Sequence, residues 1–169
     1  DTASIDTALS SVRSASAIAV AAAINRKSDE TGVTAKAAAN VIRGEGFSAA
    51  DSSATLYLNG VTMEINTTTR DGVVDSINQY SGQTGVTAKA WGDGVEYTAA
   101  DGRNISMGTS AAVTALGLTG ITIGVTGDSA GATTFYSQVT LSSDNTFEVK
   151  SGSNGVANLE FLGFRQGTF

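Results

Sequence analysis

The chain has 169 residues, 10 Lys plus Arg against 16 Asp plus Glu, a formal net charge of −6, and no His, Cys or Pro. Without His or Cys, zinc fingers, His-assisted Ser or Cys nucleophiles, haem or iron–sulfur ligation and internal disulfides are excluded. The basic residues are scattered, paired only at Arg26-Lys27, which opposes nucleic-acid binding because phosphate neutralisation needs clustered cations.

Apolar residues make up 41% of the chain and charged ones 15%, below the roughly 25% charge that is usual but enough apolar content to fold. The longest strongly apolar run, residues 17–24, falls far short of the roughly 20 residues a membrane-spanning helix needs, so no membrane partner is expected. The sequence starts at Asp1 with neither a Met nor a leader, and is read as an excised piece whose targeting signals lie elsewhere.

In chain order, an Ala-rich run with Val20 and Ile24 at helical spacing predicts a short helix, capped by Ser14 or Ser16. The period-two run Val33-Thr34-Ala35-Lys36-Ala37 follows as a strand with Val33, Ala35 and Ala37 on one face. Leu56 and Leu58, then Val61, Met63 and Ile65, flank Asn59-Gly60, the dipeptide of a type I′ hairpin, whose two central positions need positive φ. Val73, Val74, Ile77 and Tyr80 predict a second helix, with Thr69 or Asp71 as N-cap and Gly82 as the left-handed residue ending it. Val86, Ala88 and Ala90 against Thr87 and Lys89 repeat the half-buried strand, and Val95 and Tyr97 lead through residues 99–102 to Ile105 and Met107 as a second hairpin. Beyond it, residues 111–116 predict a short helix. The alternations Ile121/Ile123/Val125, Phe135/Val139/Leu141, Phe147/Val149 and Leu159/Phe161 predict strands between Gly, Ser, Asp and Asn clusters.

The two helix-plus-strand segments are copies. Residues 24–37 and 77–90 lie 53 positions apart and are identical at ten of fourteen positions, where unrelated segments match at about one. Ile24, Asn25, Gly32 and Val33 in the first copy stand as Ile77, Asn78, Gly85 and Val86 in the second, and these eight are the structural motif residues.

The motif, with Leu58-Asn59-Gly60-Val61 after the first copy and Asp101-Gly102-Arg103-Asn104-Ile105 after the second, resembles the IN motif of bacterial flagellins. Residues 136–144 are similar to segments that follow the motif in several flagellins. The resemblance covers residues 17–107 well and thins out beyond residue 150. It implies a surface-facing piece of the variable outer region, lacking the long heptad-patterned helical ends through which flagellins polymerise. It also implies an extracellular, flagellar location, other flagellin subunits as partners in the filament, and a monomer in isolation. An inserted outer domain implies further that Asp1 and Phe169 lie close together. The same motif occurs in flagellar cap and hook-associated proteins, which is the alternative assignment. A secreted carbohydrate-binding or adhesin module using Trp91 and Tyr97 is the further alternative.

No catalytic role is expected. Glu96 with Asp101, and Asp29 with Glu30, are the candidate carboxylate pairs, read as solvated or capping groups because none is set across a cleft as glycoside hydrolysis requires. Asp93, Asp101 and Asp144 neighbour Gly or Asn without the spacing of a calcium loop, so turn chemistry accounts for them. Residues 117–120 with Gly124 lack the pattern of a phosphate loop, and Trp91 is expected to cover one end of the core. Asn66-Thr67-Thr68 and Asn104-Ile105-Ser106 match the N-glycosylation sequon. No cofactor and no metal are expected. The fold class is α+β: an outer-domain part over residues 1–108, holding repeats at about 16–65 and 70–108, then a β-rich segment over 109–169 that packs on it or forms a second lobe.

Overall fold

The computed structural model describes Asp6 and residues 11–50, 52–151 and 164–169. The fold is α+β. A 3₁₀ turn at Arg13–Ala15 leads into α1 (Ala17–Asn25), α2 (Ser28–Thr31), β1 (Thr34–Ala37), β2 (Asn40–Arg43), β3 (Ser53–Leu58) and β4 (Val61–Asn66). The second copy supplies α3 (Arg70–Gln79), α4 (Ser81–Thr84), β5 (Thr87–Trp91), β6 (Gly94–Ala99) and β7 (Ile105–Thr109). A 3₁₀ turn at Val113–Leu116 and short strands β8 (Thr133–Phe135), β9 (Val139–Ser142), β10 (Glu148–Val149) and β11 (Gly167–Thr168) complete the described chain.

Local chemistry explains the element ends. Ser16 caps α1, its Oγ accepting from the Ala19 amide at 3.1 Å, and Thr69 caps α3 by accepting from the Gly72 amide at 3.0 Å. Asn59 and Gly60 both carry positive φ, 45° and 89°, so Leu58 pairs with Val61 across the tight turn between β3 and β4. Gly82 is not the left-handed residue after the second helix. It sits inside α4, and the chain turns three residues later at Gly85, φ 69°, because the extra turn Ser81–Thr84 carries the backbone that much further.

The strands form a three-stranded sheet in the order β2-β6-β5, a four-stranded sheet β4-β3-β7-β8, and two small pairs, β1-β9 and β10-β11, with every strand pairing antiparallel. This corrects the second predicted hairpin: β6 and β7 do not pair. β6 turns back from β5 through Gly92-Asp93 instead, and β7 joins β3 in the other sheet. The period-two pattern was right about both strands but carries no information on partners. The two copies interleave, since β2 pairs with β6 and β3 with β7, and positions 53 apart face each other directly at Arg43/Glu96 and Leu56/Thr109.

One apolar core lies between the sheets and α3. It is built from Leu56, Leu58, Ile65, Val73, Ile77, Val86, Val95, Tyr97, Ile105 and Met107, all withdrawn from solvent, and it continues into Leu116, Leu118 and Ile123. The segment after residue 108 thus completes this core through residue 123, and β8 extends the sheet. At Ile121/Ile123/Val125 no strand forms. Gly124 makes only an isolated parallel bridge to Gly108, and the Gly131 backbone lies against it so closely that an added Cβ would sit 1.6 Å from Gly131 O. The predicted helix over 111–116 is the shorter 3₁₀ turn, ended by Gly117 at φ 72°. Leu159 and Phe161 lie outside the described residues, as does Asp1, so the predicted proximity of the chain ends does too.

Outside that core, β1 pairs with β9 and helix α1 packs on β1. The chain enters the main body at Asn40 and leaves it at Phe135, and Asn40 Nδ2 donates to Phe135 O at 2.8 Å, closing the two crossings together. Among the described residues no helix is long and apolar enough to cross a membrane.

Candidate functional site

The duplicated motif is one construction built twice. Asn25 Nδ2 donates to Ala35 O at 2.8 Å while the Ala35 amide donates to Asn25 Oδ1 at 2.7 Å. Asn78 does the same with Ala88, at 2.9 and 2.8 Å. Each side-chain amide thereby reproduces the donor–acceptor pair that a neighbouring strand would offer, and fills the outward-facing hydrogen-bond position of β1 or β5. An open strand edge is a template for unwanted pairing, so a residue that occupies it also protects it.

The remaining shared residues hold each Asn in place. Ser28 and Ser81 hydroxyls donate to the Asn25 and Asn78 carbonyls at 2.9 and 2.7 Å, tying off the helix end. Thr31 and Thr84 hydroxyls donate to Lys27 O and Tyr80 O and accept from the Val33 and Val86 amides, both at 3.2 Å. Gly32 and Gly85 take φ 68° and 69°, which reverses the chain into the strand without the steric cost a Cβ would add. Val33 and Val86 then enter the interior.

The copies differ in what lies around them. Val73 and Ile77 are fully buried because α3 packs on β4, β5 and β6. Their counterparts Val20 and Ile24 are half-buried because α1 meets chiefly β1 and β9, and that helix buries Ala17, Ala19 and Ala21 instead.

On the outer face of the β2-β6-β5 sheet, Glu96 is buried at 4% exposure beside Arg43 and Lys89. Arg43 Nε and Lys89 Nζ bond its two carboxylate oxygens at 2.6 and 2.9 Å. Burial alone would favour the protonated form. The bonds from Lys89, Arg43 and Thr98 outweigh it and hold the carboxyl below its ordinary range. Trp91 does not cover the core end as expected: it is 45% exposed, with the Arg43 guanidinium 4.2 Å above its ring. It stands opposite Gly94, where the Gly44 and Gly117 backbones fill the space a side chain would take. Tyr97 points the other way. It is fully buried, and its hydroxyl donates to Leu116 O at 2.8 Å, so Trp91 and Tyr97 do not share a binding face.

The other predicted groups are separate. Asp101 pairs with Arg103 at 2.7 Å; burial works to raise its pKa, and Arg103 outweighs that and lowers it. Glu96 and Asp101 thus have different cationic partners and form no pair. Asp29 and Glu30 lie exposed in α2, where Glu30 bonds Lys27, and Asp93 and Asp144 are exposed. Gly117 is packed against Val95 backbone and side chain, leaving no cradle for a phosphate. Asn104 is buried with its amide donating to Ser11 O and Val12 O, whereas Asn66 is exposed. Among the described residues no group of three or more His, Cys, Asp and Glu is placed to hold a metal ion.

Sequence reading singled out Asn25 and Asn78 but missed their work as strand mimics, and missed Ser28, Thr31, Ser81 and Thr84 as their supports. Identity of these polar residues across the two copies was the available signal. No protein-family model matches the chain, and no curated protein matches it. The kinship suggested by the motif therefore stands on the motif residues alone.

Proposed function

We propose that the chain is a structural piece of the bacterial flagellar filament, a surface-exposed outer-domain segment of flagellin with no chemistry of its own. The observation that carries this reading is the duplicated motif, in which Asn, Ser, Thr and Gly are spent on internal hydrogen bonds and turns, leaving none of them aimed at a ligand. The two most perturbed carboxyls agree with it, since both are held ionised by neighbouring cations and neither is kept protonated for acid catalysis. Absence of Pro and Cys suits a subunit that travels unfolded through a narrow export channel and folds outside, free of slow isomerisation and premature cross-linking. Display on a filament explains a hydroxyl-rich, weakly charged surface better than turnover of a substrate does. Immunogold labelling of intact cells with antibody raised against this chain tests the assignment. Gold along the filament shaft is expected; gold confined to the filament tip would transfer the chain to a cap protein, and gold absent from every filament would overturn the flagellar reading.

A further inference from the structure

We propose that Asn59-Gly60 is a self-modification site whose reactivity is switched off by folding. In an extended chain the Gly60 amide nitrogen can attack Asn59 Cγ. A new C–N bond closes a five-membered imide, the Cγ–Nδ2 bond breaks, and the nitrogen leaves as ammonia. Water then opens the imide at either carbonyl, leaving Asp or its β-linked isomer at position 59. Glycine favours the attack because it lacks a side chain beside the attacking nitrogen and permits the backbone to bend toward Cγ.

Folding closes each requirement. Asn59 is fully buried, which removes the water that must accept and deliver protons. Its Nδ2 donates to Thr84 O at 3.0 Å and Asn104 O at 3.1 Å, and its Oδ1 accepts from the Ser106 amide at 2.8 Å. The Asn59 backbone amide also donates to Ser106 O at 2.9 Å. The amide plane is held on three sides and cannot rotate to present Cγ to Gly60 without breaking the contacts that join the β3–β4 hairpin to β7 and α4.

The same contacts mean that the reaction, once it has happened, opposes folding. An Asp at 59 would aim a carboxylate at two carbonyl oxygens in a dry site that previously received two N–H bonds. Arg103, which donates to Thr84 O at 3.3 Å, is already paired with Asp101. The β-linked isomer adds a backbone atom inside a two-residue turn whose geometry fixes the strand register. The time the chain spends unfolded is thereby recorded at one residue.

The test incubates the whole chain at mildly alkaline pH, native in one arm and unfolded in guanidinium chloride in the other, followed by acid digestion and mass spectrometry of the Asn59 peptide. Asn154-Gly155 falls outside the described residues and is read on its own peptide. Conversion at Asn59 is expected to be at least roughly tenfold slower in the native arm, since it must wait for local opening. Equal rates would overturn the proposal. Gly60→Ala should slow conversion in the unfolded arm, and an unchanged rate would remove the imide route. Asn59→Asp is expected to refold with a markedly lower denaturant midpoint or not at all; refolding to the wild-type midpoint would refute the claim that the product opposes folding.

Discussion

Replacing Asn78 by Ala and, separately, Asn25 by Ala compares the same two hydrogen bonds in two different environments. Each bond contributes about 1 kcal/mol net, so losing both costs about 2 kcal/mol where water cannot replace them. Ala88 is only 6% exposed and Asn78 is partly buried, so the freed main-chain groups stay poorly hydrated. Asn25 is exposed and Ala35 is half-exposed, so water substitutes for most of the lost pair. Alanine also raises helix propensity by roughly 0.5 kcal/mol at either position. The expected net losses are about 1.5 kcal/mol for Asn78→Ala and about 0.5 kcal/mol or less for Asn25→Ala. Urea unfolding followed by Trp91 fluorescence reads the first directly, because Trp91 lies on the same strand as Ala88. Far-UV circular dichroism and amide exchange at Ala35 read the second. Each kcal/mol corresponds to about 2–4 °C in Tm for a chain of this size. An Asn25→Ala loss equal to that of Asn78→Ala would refute the reasoning, because bond geometry without burial would then set the cost.

Gly85→Ala should destabilise more than Gly32→Ala. Both meet the left-handed penalty of about 1–2 kcal/mol, but a Cβ at Gly85 also falls 2.2 Å from the Arg103 guanidinium and disturbs its Asp101 pairing, whereas Gly32 faces nearly open space. Chemical denaturation of both variants decides it, and equal losses would contradict the contact argument. Glu96 ionises more readily folded than unfolded, so its stabilisation is complete above the ordinary carboxylate range and is lost as pH falls through its own lowered value. Glu96→Gln should therefore flatten the fall of stability as pH drops below the ordinary glutamate range, measured by urea midpoints. Burial pushes the Tyr97 phenol upward, so one of the four tyrosines should stay un-ionised in the native protein through the normal range near pH 10. Its preference for the neutral form favours folding below the unfolded phenol pKa and turns against it as pH rises above, so phenolate absorbance from the fourth tyrosine should emerge only with unfolding.

What could be read from the sequence was what short-range chemistry decides. The caps, narrowed to Ser14 or Ser16 and to Thr69 or Asp71 and found at Ser16 and Thr69, Asn59-Gly60 as a hairpin turn, and the alternating faces of β3 and β4 all depend on residues within a few positions of each other. Pairings between distant strands escaped it. Nothing within residues 94–109 says that β6 should turn to β5 and β2 while β7 turns to β3, because that choice is made by burying Tyr97 and Met107 in a core assembled from both copies. Trp91 was misjudged for a related reason: a lone aromatic at a strand end suits a core rim or an outer face equally, and its contact with Arg43, on the next strand but one, is a long-range one. The motif itself was visible as a repeat, but the use of Asn25 and Asn78 was not, since a side chain standing in for a strand leaves no periodicity behind.

Arg43 and Glu96 occupy matching places in the two halves and meet head-on. Were the halves separate identical chains related by a two-fold axis, whatever stood there would confront its own copy, and a charge would confront its like. Joining both halves in one polypeptide lifts that restriction. Cation and anion can then be assigned to opposite sides of the axis, turning the spot where a symmetric assembly tolerates charge least into a bonded pair.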